Sequence, residues 1–143
     1  MMMFMGEYSH TLDAKSRIII PAKFREELGE QFVLTLGLDG CLYAYPNAEW
    51  ESVVEQLNQL PSSKEARKIQ RYFLSSASPC ELDKQGRVLI PARHKQHAKL
   101  EKDVIFVGVS KKIEIWSKEC YDDLTFDGMD DAAEKLSELG ISF

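Results

Sequence analysis

Two arginines, each four residues after an aspartate, are the side chains of this sequence best suited to bind an anion. Arg17 follows Asp13, and Arg87 follows Asp83, in segments that are otherwise alike. A guanidinium can donate paired hydrogen bonds to a phosphate or to the major-groove edge of guanine. The simpler alternative for either arginine alone is a surface ion pair with its aspartate. Recurrence of the pair among further cations favours the phosphate or base contact.

The arginines belong to a segment that occurs twice. Residues 13–25 and 83–95 share Asp, Arg, Ile, Pro and Ala in register, and most of the other pairs are chemically alike. Each copy has four basic residues and one acidic residue, a local net charge of +3. Such a repeat indicates one structural unit built twice. Each unit presents cations beside a turn that leads into an apolar strand, as expected of a surface that meets phosphate.

The other basic residues of the repeat are candidates for contacts with phosphate rather than with bases. Such contacts position a protein on nucleic acid without specifying its sequence. The alternatives are a solvated face and, for the residues that follow each proline, a surface that meets a partner subunit. The candidates are Lys15, Lys23, Arg25, Lys84, Arg93 and Lys95.

The charge of the chain is unevenly distributed. The formal net charge is −5, but residues 119–143 carry a net −7 and residues 1–118 a net +2. Because salt screens exposed charges beyond about 8 Å, local patches determine the field that a phosphate meets. A further basic cluster at residues 67–71 has two interpretations of equal weight. It contacts DNA, or it pairs with Glu65 or with the acidic C-terminal residues.

The sequence does not indicate a catalytic centre. Asp13 and Asp83 are interpreted as turn residues whose carboxylates bond nearby backbone N–H groups, and no second carboxylate or base accompanies them. His94 and His97 have a spacing that can bind a metal, but no further ligand accompanies them, so we expect structural or exposed histidines. No glycine-rich phosphate loop or nucleophile elbow occurs. The expected protein is not an enzyme and has neither a cofactor nor a metal site.

Two rival functions stay open at this point. One is a structural or assembly protein, and binding of DNA by the purified protein would separate it from a nucleic-acid-binding protein. The other is a small hydrolase that uses His94 or Cys41, although the sequence lacks an assembled set of nucleophile, base and orienting residue. Ordinary activity of Cys41→Ser and His94→Ala variants would exclude this second function.

The bulk composition is that of an ordinary globular protein. The 143 residues are 44% hydrophobic and 29% charged, and no apolar run approaches the roughly 20 residues of a membrane span. The apolar start, residues 1–5, is short and lacks a basic flank, so we expect a ragged start rather than a signal peptide. The three cysteines form no CxxC pair and suit a reducing cytoplasm.

Each repeat unit is predicted to contain a strand, a turn, a strand, a short helix and a final hairpin. The last strands, residues 42–45 and 113–116, alternate in the manner of half-buried strands. Amphipathic helices are expected at residues 48–60, 64–76 and 130–139, with Ser63 as an N-cap.

At these two repeats the chain resembles the MraZ family of bacterial transcriptional regulators, which consist of tandem SpoVT-AbrB-type units. The resemblance extends over nearly the whole chain from Met3, and Ser16 departs from the glycine that the family usually has. Beyond the two Asp-x3-Arg motifs, it depends on the segments Phe4–Met5–Gly6–Glu7–Tyr8, Tyr45–Pro46 with Glu49–Trp50, Arg67 with Arg71, and Ile113–Glu114–Ile115–Trp116.

The resemblance implies an α+β fold in which two tandem SpoVT-AbrB-type swapped-hairpin β units form a pseudo-two-fold core with surrounding helices. The expected divisions are a first unit at residues 5–47, a helical linker at 48–76, a second unit at 77–120 and an acidic helical tail at 121–143.

The resemblance also implies a function. Family members bind double-stranded DNA at repeated boxes, in direct repeat, upstream of the division and cell-wall gene cluster. They form ring-shaped homo-oligomers, are cytoplasmic and nucleoid-associated, and have no membrane partner. The family's DNA-contacting arginines correspond to Arg17 and Arg87, and Lys15 falls in the same first loop. With Lys84 of the second loop, these are the predicted DNA-binding residues.

Overall fold

The computed structural model describes residues 3–143, so Met1 and Met2 of the predicted ragged start lie outside the described residues. The strands are β1 (Phe4–Thr11), β2 (Arg17–Ile19), β3 (Gln31–Leu36), β4 (Leu42–Pro46), β5 (Ser78–Glu81), β6 (Arg87–Leu89), β7 (Asp103–Ser110) and β8 (Ile113–Ser117). The helices are α1 (Ala22–Leu28), α2 (Asn47–Asn58), α3 (Lys64–Ser76), α4 (Ala92–His97), α5 (Lys118–Asp122) and α6 (Met129–Ser137).

The two repeat units exchange strands. A six-stranded antiparallel sheet has the order β1-β7-β8-β4-β3-β5, and β2 pairs with β6 in a separate two-stranded ribbon. The first strand of each unit therefore pairs with the third strand of the other, as β1 with β7 and β5 with β3. If each strand is replaced by its counterpart in the other unit, the same strand order results, read from the opposite edge of the sheet. The two units are therefore related by a pseudo-two-fold axis. The predicted α+β fold with tandem swapped-hairpin units is confirmed.

The central strands of the large sheet, β3, β4 and β8, are buried on both faces. On one face, alternate side chains such as Leu42, Ala44 and Phe106 join the main core, which also takes in residues of the β2–β6 ribbon and α1, and Ala98 directly after α4. On the other face Tyr43 and Trp116 pack with aromatic residues of α2 and α3. The prediction that residues 42–45 form a half-buried strand is wrong, because α2 and α3 cover its second face and every residue of β4 is buried.

The predicted helices are present, with small differences at their ends. The helix expected at residues 64–76 is confirmed as α3, and the Ser63 hydroxyl accepts the N–H of Ala66 at 3.0 Å, so the predicted N-cap is also confirmed. The short helix α5 was not predicted. Its only local sequence signal is Ser117, whose hydroxyl accepts the N–H of Cys120. None of the helices within residues 3–143 is long and apolar enough to cross a membrane.

Candidate nucleic-acid interface

The first loop, residues 13–17, is organised by one carboxylate. Oδ1 of Asp13 accepts the backbone N–H groups of Lys15 at 2.8 Å and of Arg17 at 2.9 Å. Oδ2 accepts Nε of Arg17 at 3.0 Å. The backbone N–H of Arg17 is the largest of several causes that lower the pKa of Asp13, so this carboxylate stays ionised at neutral pH. The turn and the direction of the arginine are thus held by a single side chain.

The second loop, residues 83–87, has the same arrangement. Oδ1 of Asp83 accepts the backbone N–H groups of Gln85 and Arg87, each at 2.9 Å, and Oδ2 accepts Nε of Arg87 at 2.8 Å. The pKa of Asp83 is lowered, again with the backbone N–H of Arg87 as the largest cause. The predicted role of both aspartates as turn residues agrees with this geometry.

Each arginine uses only part of its guanidinium in the ion pair. The simpler alternative, an ion pair with the aspartate four residues earlier, is present in both loops. It engages Nε alone, and no residue in 3–143 accepts a hydrogen bond from the terminal nitrogens of Arg17 or Arg87. The ion pair therefore orients the side chain and leaves its paired terminal donors for another molecule.

The β2–β6 ribbon places both arginines on one surface. In its antiparallel register Arg17 lies opposite Leu89, and Arg87 lies opposite Ile19. These four side chains share one face because alternate residues of a strand point the same way. Leu89 is 61% exposed on this face, while Ile18 and Val88 on the other face are buried. The surface formed by Arg17, Ile19, Arg87 and Leu89 is called the ribbon face below.

The loops are tied to the opposite strands by backbone hydrogen bonds. Ile20 donates its N–H to the carbonyl of Gly86 at 3.0 Å, and Ile90 donates to the carbonyl of Ser16 at 2.8 Å. Ser16 and Gly86 occupy the same turn position, with φ of 62° and 77°. Glycine adopts such a φ without strain, whereas serine is an uncommon choice there. The first loop nevertheless has the same backbone form as the second.

Each loop is also contacted by a cation from the first helix of the other unit. Lys95 of α4 donates from Nζ to the Ser16 hydroxyl at 3.1 Å. Arg25 of α1 lies against the second loop, and its Nε donates to the carbonyl of Ile20 at 2.8 Å. A Cβ added at Gly86 would lie 2.8 Å from this guanidinium. The sequence suggested both cations as phosphate contacts and did not reveal this bracing role.

The two predicted lysines occupy different positions in the loops. Lys15 is the third residue of its loop and Lys84 the second, so Lys15 corresponds to Gln85 and Lys84 to Ala14. Both are exposed, and neither forms an ion pair with any residue in 3–143. The two loops therefore carry their exposed lysine at different positions.

The residues named for a hydrolase are placed in the interior. His94 is 3% exposed, and its Nε2 lies 2.8 Å from the carbonyl oxygen of Ser76. Burial lowers the pKa of His94. Burial also raises the pKa of the Cys41 thiol to about 12, so the thiolate is scarce at neutral pH. His97 lies instead beside Gly37 and the hydroxyl of Tyr72, so the histidine pair has separate structural surroundings.

The basic cluster at residues 67–71 lies on the exposed side of α3. Of its three basic side chains, Arg67, Lys68 and Arg71, only Arg67 forms a hydrogen bond to a residue in 3–143, at 3.4 Å to Ser62. Neither Glu65 nor an acidic residue of the C-terminal segment forms an ion pair with it among the residues described. Within one chain, the basic cluster and the acidic tail therefore form no ion pair with each other among the residues described.

Comparison with known proteins identifies the family. The family model described as "MraZ protein, putative antitoxin-like" matches the chain twice, at residues 3–72 and 73–136. The chain belongs to the MraZ family. Two matches in succession agree with the two β units, each followed by helices. The finer division at residues 47, 76 and 120 stays a prediction.

Relatives from several bacteria match this chain over nearly its whole length. One from Lachnoclostridium phytofermentans is 61% identical over 141 residues, which cover 99% of this chain and 100% of the relative. Relatives from Thermoanaerobacter sp. (strain X514) and Clostridium acetobutylicum are each 54% identical over 143 residues, covering 97% of this chain and 100% of theirs. All three are named transcriptional regulator MraZ.

Proposed function

We propose that this chain is a transcriptional regulator that binds double-stranded DNA in a sequence-specific manner through the ribbon face. The observation that carries the proposal is the pair of aspartate-held arginines, Arg17 and Arg87, on one exposed side of a two-stranded ribbon. The major groove of B-DNA admits such a ribbon, and an arginine there can donate to both acceptors of guanine. The names of the relatives support a role in transcription.

The ribbon face has apolar as well as charged groups. Ile19 and Leu89 lie between the two arginines in the register of the ribbon. Apolar side chains in the major groove contact the thymine methyl group. We therefore assign base contacts to the arginines and these two residues, and phosphate contacts to Lys15 and Lys84.

The proposed targets and assembly follow the family resemblance. The targets are repeated boxes upstream of the division and cell-wall gene cluster, and the protein acts in the cytoplasm with the nucleoid. The units at residues 5–47 and 77–120 form the DNA-binding body, with the helical linker at 48–76 and the acidic tail at 121–143 outside it. Several chains assemble into a ring.

The decisive experiment measures binding to the DNA upstream of the protein's own gene by footprinting and titration. Arg17→Ala and Arg87→Ala should each weaken specific binding by about 1–3 kcal/mol. Their melting temperatures should stay near that of the parent, because neither side chain is part of the core. Unchanged affinity in the double variant would refute the assignment.

Variants of Lys15 and Lys84 are the control for the arginine variants, because they are expected to lose phosphate contacts rather than base contacts. Lys15→Ala and Lys84→Ala should weaken binding to all sequences alike and reduce the dependence of log affinity on log salt by about one phosphate contact each. The arginine variants should instead reduce the ratio of specific to non-specific binding. The rival function, a protein that only builds a ring, predicts no footprint with the parent protein at any salt concentration.

A further inference from the structure

The C-terminal segment presents an uncovered amphipathic surface. No residue of α6 is buried, and its apolar residues recur at helical spacing as Met129, Ala132, Ala133 and Leu136. Three apolar side chains around the helix are more exposed still: Phe126 at 70%, Leu139 at 76% and Phe143 at 91%. The remainder of the helix and its end carry four acidic residues, Asp130, Asp131, Glu134 and Glu138, and one base, Lys135. This is called the tail surface.

The exposed side of α3 has the same construction with the opposite sign. Residues 64–76 contain four basic residues and one acidic residue, a net charge of +3. Three apolar side chains on this helix or just before it are also partly exposed: Ile69 at 37%, Leu74 at 40% and Leu60 at 40%. The exposed cations are Lys64, Arg67, Lys68 and Arg71. This is called the α3 surface.

We propose that the tail surface of one copy binds the α3 surface of a neighbouring copy. Within one chain the two surfaces form no ion pair with each other among residues 3–143. Their charges are complementary, and contact would remove exposed apolar side chains of both from water. DNA on the α3 surface would neutralise its cations but would leave its apolar side chains and the whole tail surface uncovered. A second copy accounts for both surfaces together.

The geometry of such a contact has a consequence for assembly. The two surfaces are different, so the interface is heterologous rather than isologous. Each copy offers one tail and one α3 surface, and repeated head-to-tail contacts close into a ring when the rotation permits. This inference rests on the homo-oligomer of the proposed function and specifies the residues that hold it.

Charge reversal in the full-length protein tests the contact. One variant carries Arg67→Glu and Arg71→Glu, and the other carries Asp130→Lys, Asp131→Lys and Glu134→Lys. Mass in solution is measured without DNA over a range of protein and salt concentrations. In each variant both surfaces have the same sign, so we expect the concentration for half-assembly to rise roughly tenfold or more. Glu51→Lys with Glu55→Lys, at the same spacing on exposed α2, is the matched control and should assemble normally.

Mixing the two reversed variants gives the sharper outcome. In the mixture every basic tail meets an acidic α3 surface and every acidic tail meets a basic one, so assembly to the parental mass should return. Parental mass in each separate variant, or no recovery on mixing, would overturn the proposal. If the tail instead packed on the α3 surface of its own chain, mixing the variants would not restore assembly. Leu139→Ser with Phe143→Ser, at exposed positions, should likewise weaken assembly without affecting the fold.

The same variants separate this inference from DNA binding. If α3 reversal abolishes the footprint while the parental mass persists, the α3 surface binds DNA and the inference is wrong. If mass responds as expected but the parent protein gives no footprint, the assembly contact stands and the proposed regulator function fails.

Discussion

Lys95 donates a hydrogen bond to the hydroxyl of Ser16 across the boundary between the two repeat units. At the equivalent place in the second loop, the guanidinium of Arg25 lies against Gly86. The first loop therefore combines a serine at the turn position with a lysine against it, and the second loop combines a glycine with an arginine. This pairing explains how a serine is accommodated where the resemblance leads one to expect glycine, since the slender lysine leaves space for a side chain and donates to it.

The first prediction concerns the space at Gly86. Gly86→Ala should destabilise the protein for two reasons, positive φ and the approach of Arg25. Gly40→Ala has a positive φ but no atom within 4 Å of the added Cβ, so it measures backbone strain alone, about 1 kcal/mol. Gly86→Ala should cost about 1 kcal/mol more, because Arg25 must give up its hydrogen bond to Ile20.

Urea unfolding of these variants in two backgrounds checks the explanation. With Arg25→Lys present, the extra cost of Gly86→Ala should shrink, while that of Gly40→Ala should not change. Equal costs for the two glycines in the parent protein would show that Arg25 does not restrict the second loop.

The second prediction concerns the carboxylate that orients each arginine. In Asp13→Asn an amide N–H₂ replaces the oxygen that accepts Nε of Arg17, so the arginine loses its fixed direction. We expect weaker specific DNA binding by about 1 kcal/mol, the cost of ordering the side chain on binding. The melting temperature should change little because the loop is exposed.

The matched control for Asp13→Asn is Asp122→Asn, which breaks an exposed pair with Lys118 at the same four-residue spacing. Both variants remove one negative charge, so a general electrostatic effect on DNA affinity should be common to both. If titration shows that Asp13→Asn raises affinity as much as the control does, orientation of Arg17 by the aspartate is unimportant.

The third prediction concerns pH. Burial lowers the pKa of His94 below its usual 6.5, so between these two values the unfolded chain binds a proton that the folded chain does not. The free energy of unfolding should therefore decrease as the pH falls through about 6.5 towards the folded-state pKa. His94→Gln should reduce this slope in urea unfolding measured between neutral and mildly acidic pH. An unchanged slope would show that His94 is protonated equally in both states.

His10 offers a comparison within the same measurement. Its pKa is also lowered, chiefly by burial, but it is only partly buried. His10→Gln should thus remove a smaller part of the slope than His94→Gln removes.

The fourth prediction concerns separate halves of the chain. Residues 3–76 alone lack the partners of β1, β2 and the outer edge of β3, all of which come from the second unit. The fragment should be unfolded as a monomer, or should fold only as a dimer whose melting temperature rises with concentration. Circular dichroism with mass measurement distinguishes these outcomes, and a stable folded monomer would contradict the exchange of strands.

The fifth prediction concerns the operator. One ribbon contacts few bases, whereas copies held in one assembly make later contacts intramolecular and raise avidity by roughly 10²–10⁴. Successive boxes must face one side of the duplex, so we expect direct repeats spaced near one helical turn, about 10–10.5 bp. Inserting half a turn between boxes should reduce affinity in titrations far more than inserting a full turn. Equal affinity for a single box and for the array would contradict this mechanism.

The repeat made much of the site predictable. Register between the copies located both loops, and the shared arginine of each copy, Arg17 and Arg87, lies on the ribbon face. The bracing by Arg25 and Lys95 was not predictable in the same way, because it depends on which unit each short helix packs against. Lys95 and Ser16 are 79 residues apart, and no local pattern encodes such a contact.

The errors in the remaining elements have local causes. The alternation of residues 42–45 indicated one buried face, but alternation by size and aromatic character persists in a strand that is covered on both sides. The helix α5 spans five residues, too few for a hydrophobic period to be detected.

Fusing both units into one polypeptide makes the two ends of the proposed DNA-binding surface different. A symmetric pair of identical loops would favour a palindrome, since each half would meet the same bases. Here Lys15 and Ser16 of one loop stand where the other has Gln85 and Gly86, so the two ends of the ribbon face are chemically distinct. The preferred box is therefore expected to be asymmetric. If the ribbon face binds DNA as proposed, we expect a mutation in one loop to alter the preference at one end of that box, so that the two ends of the operator would evolve independently.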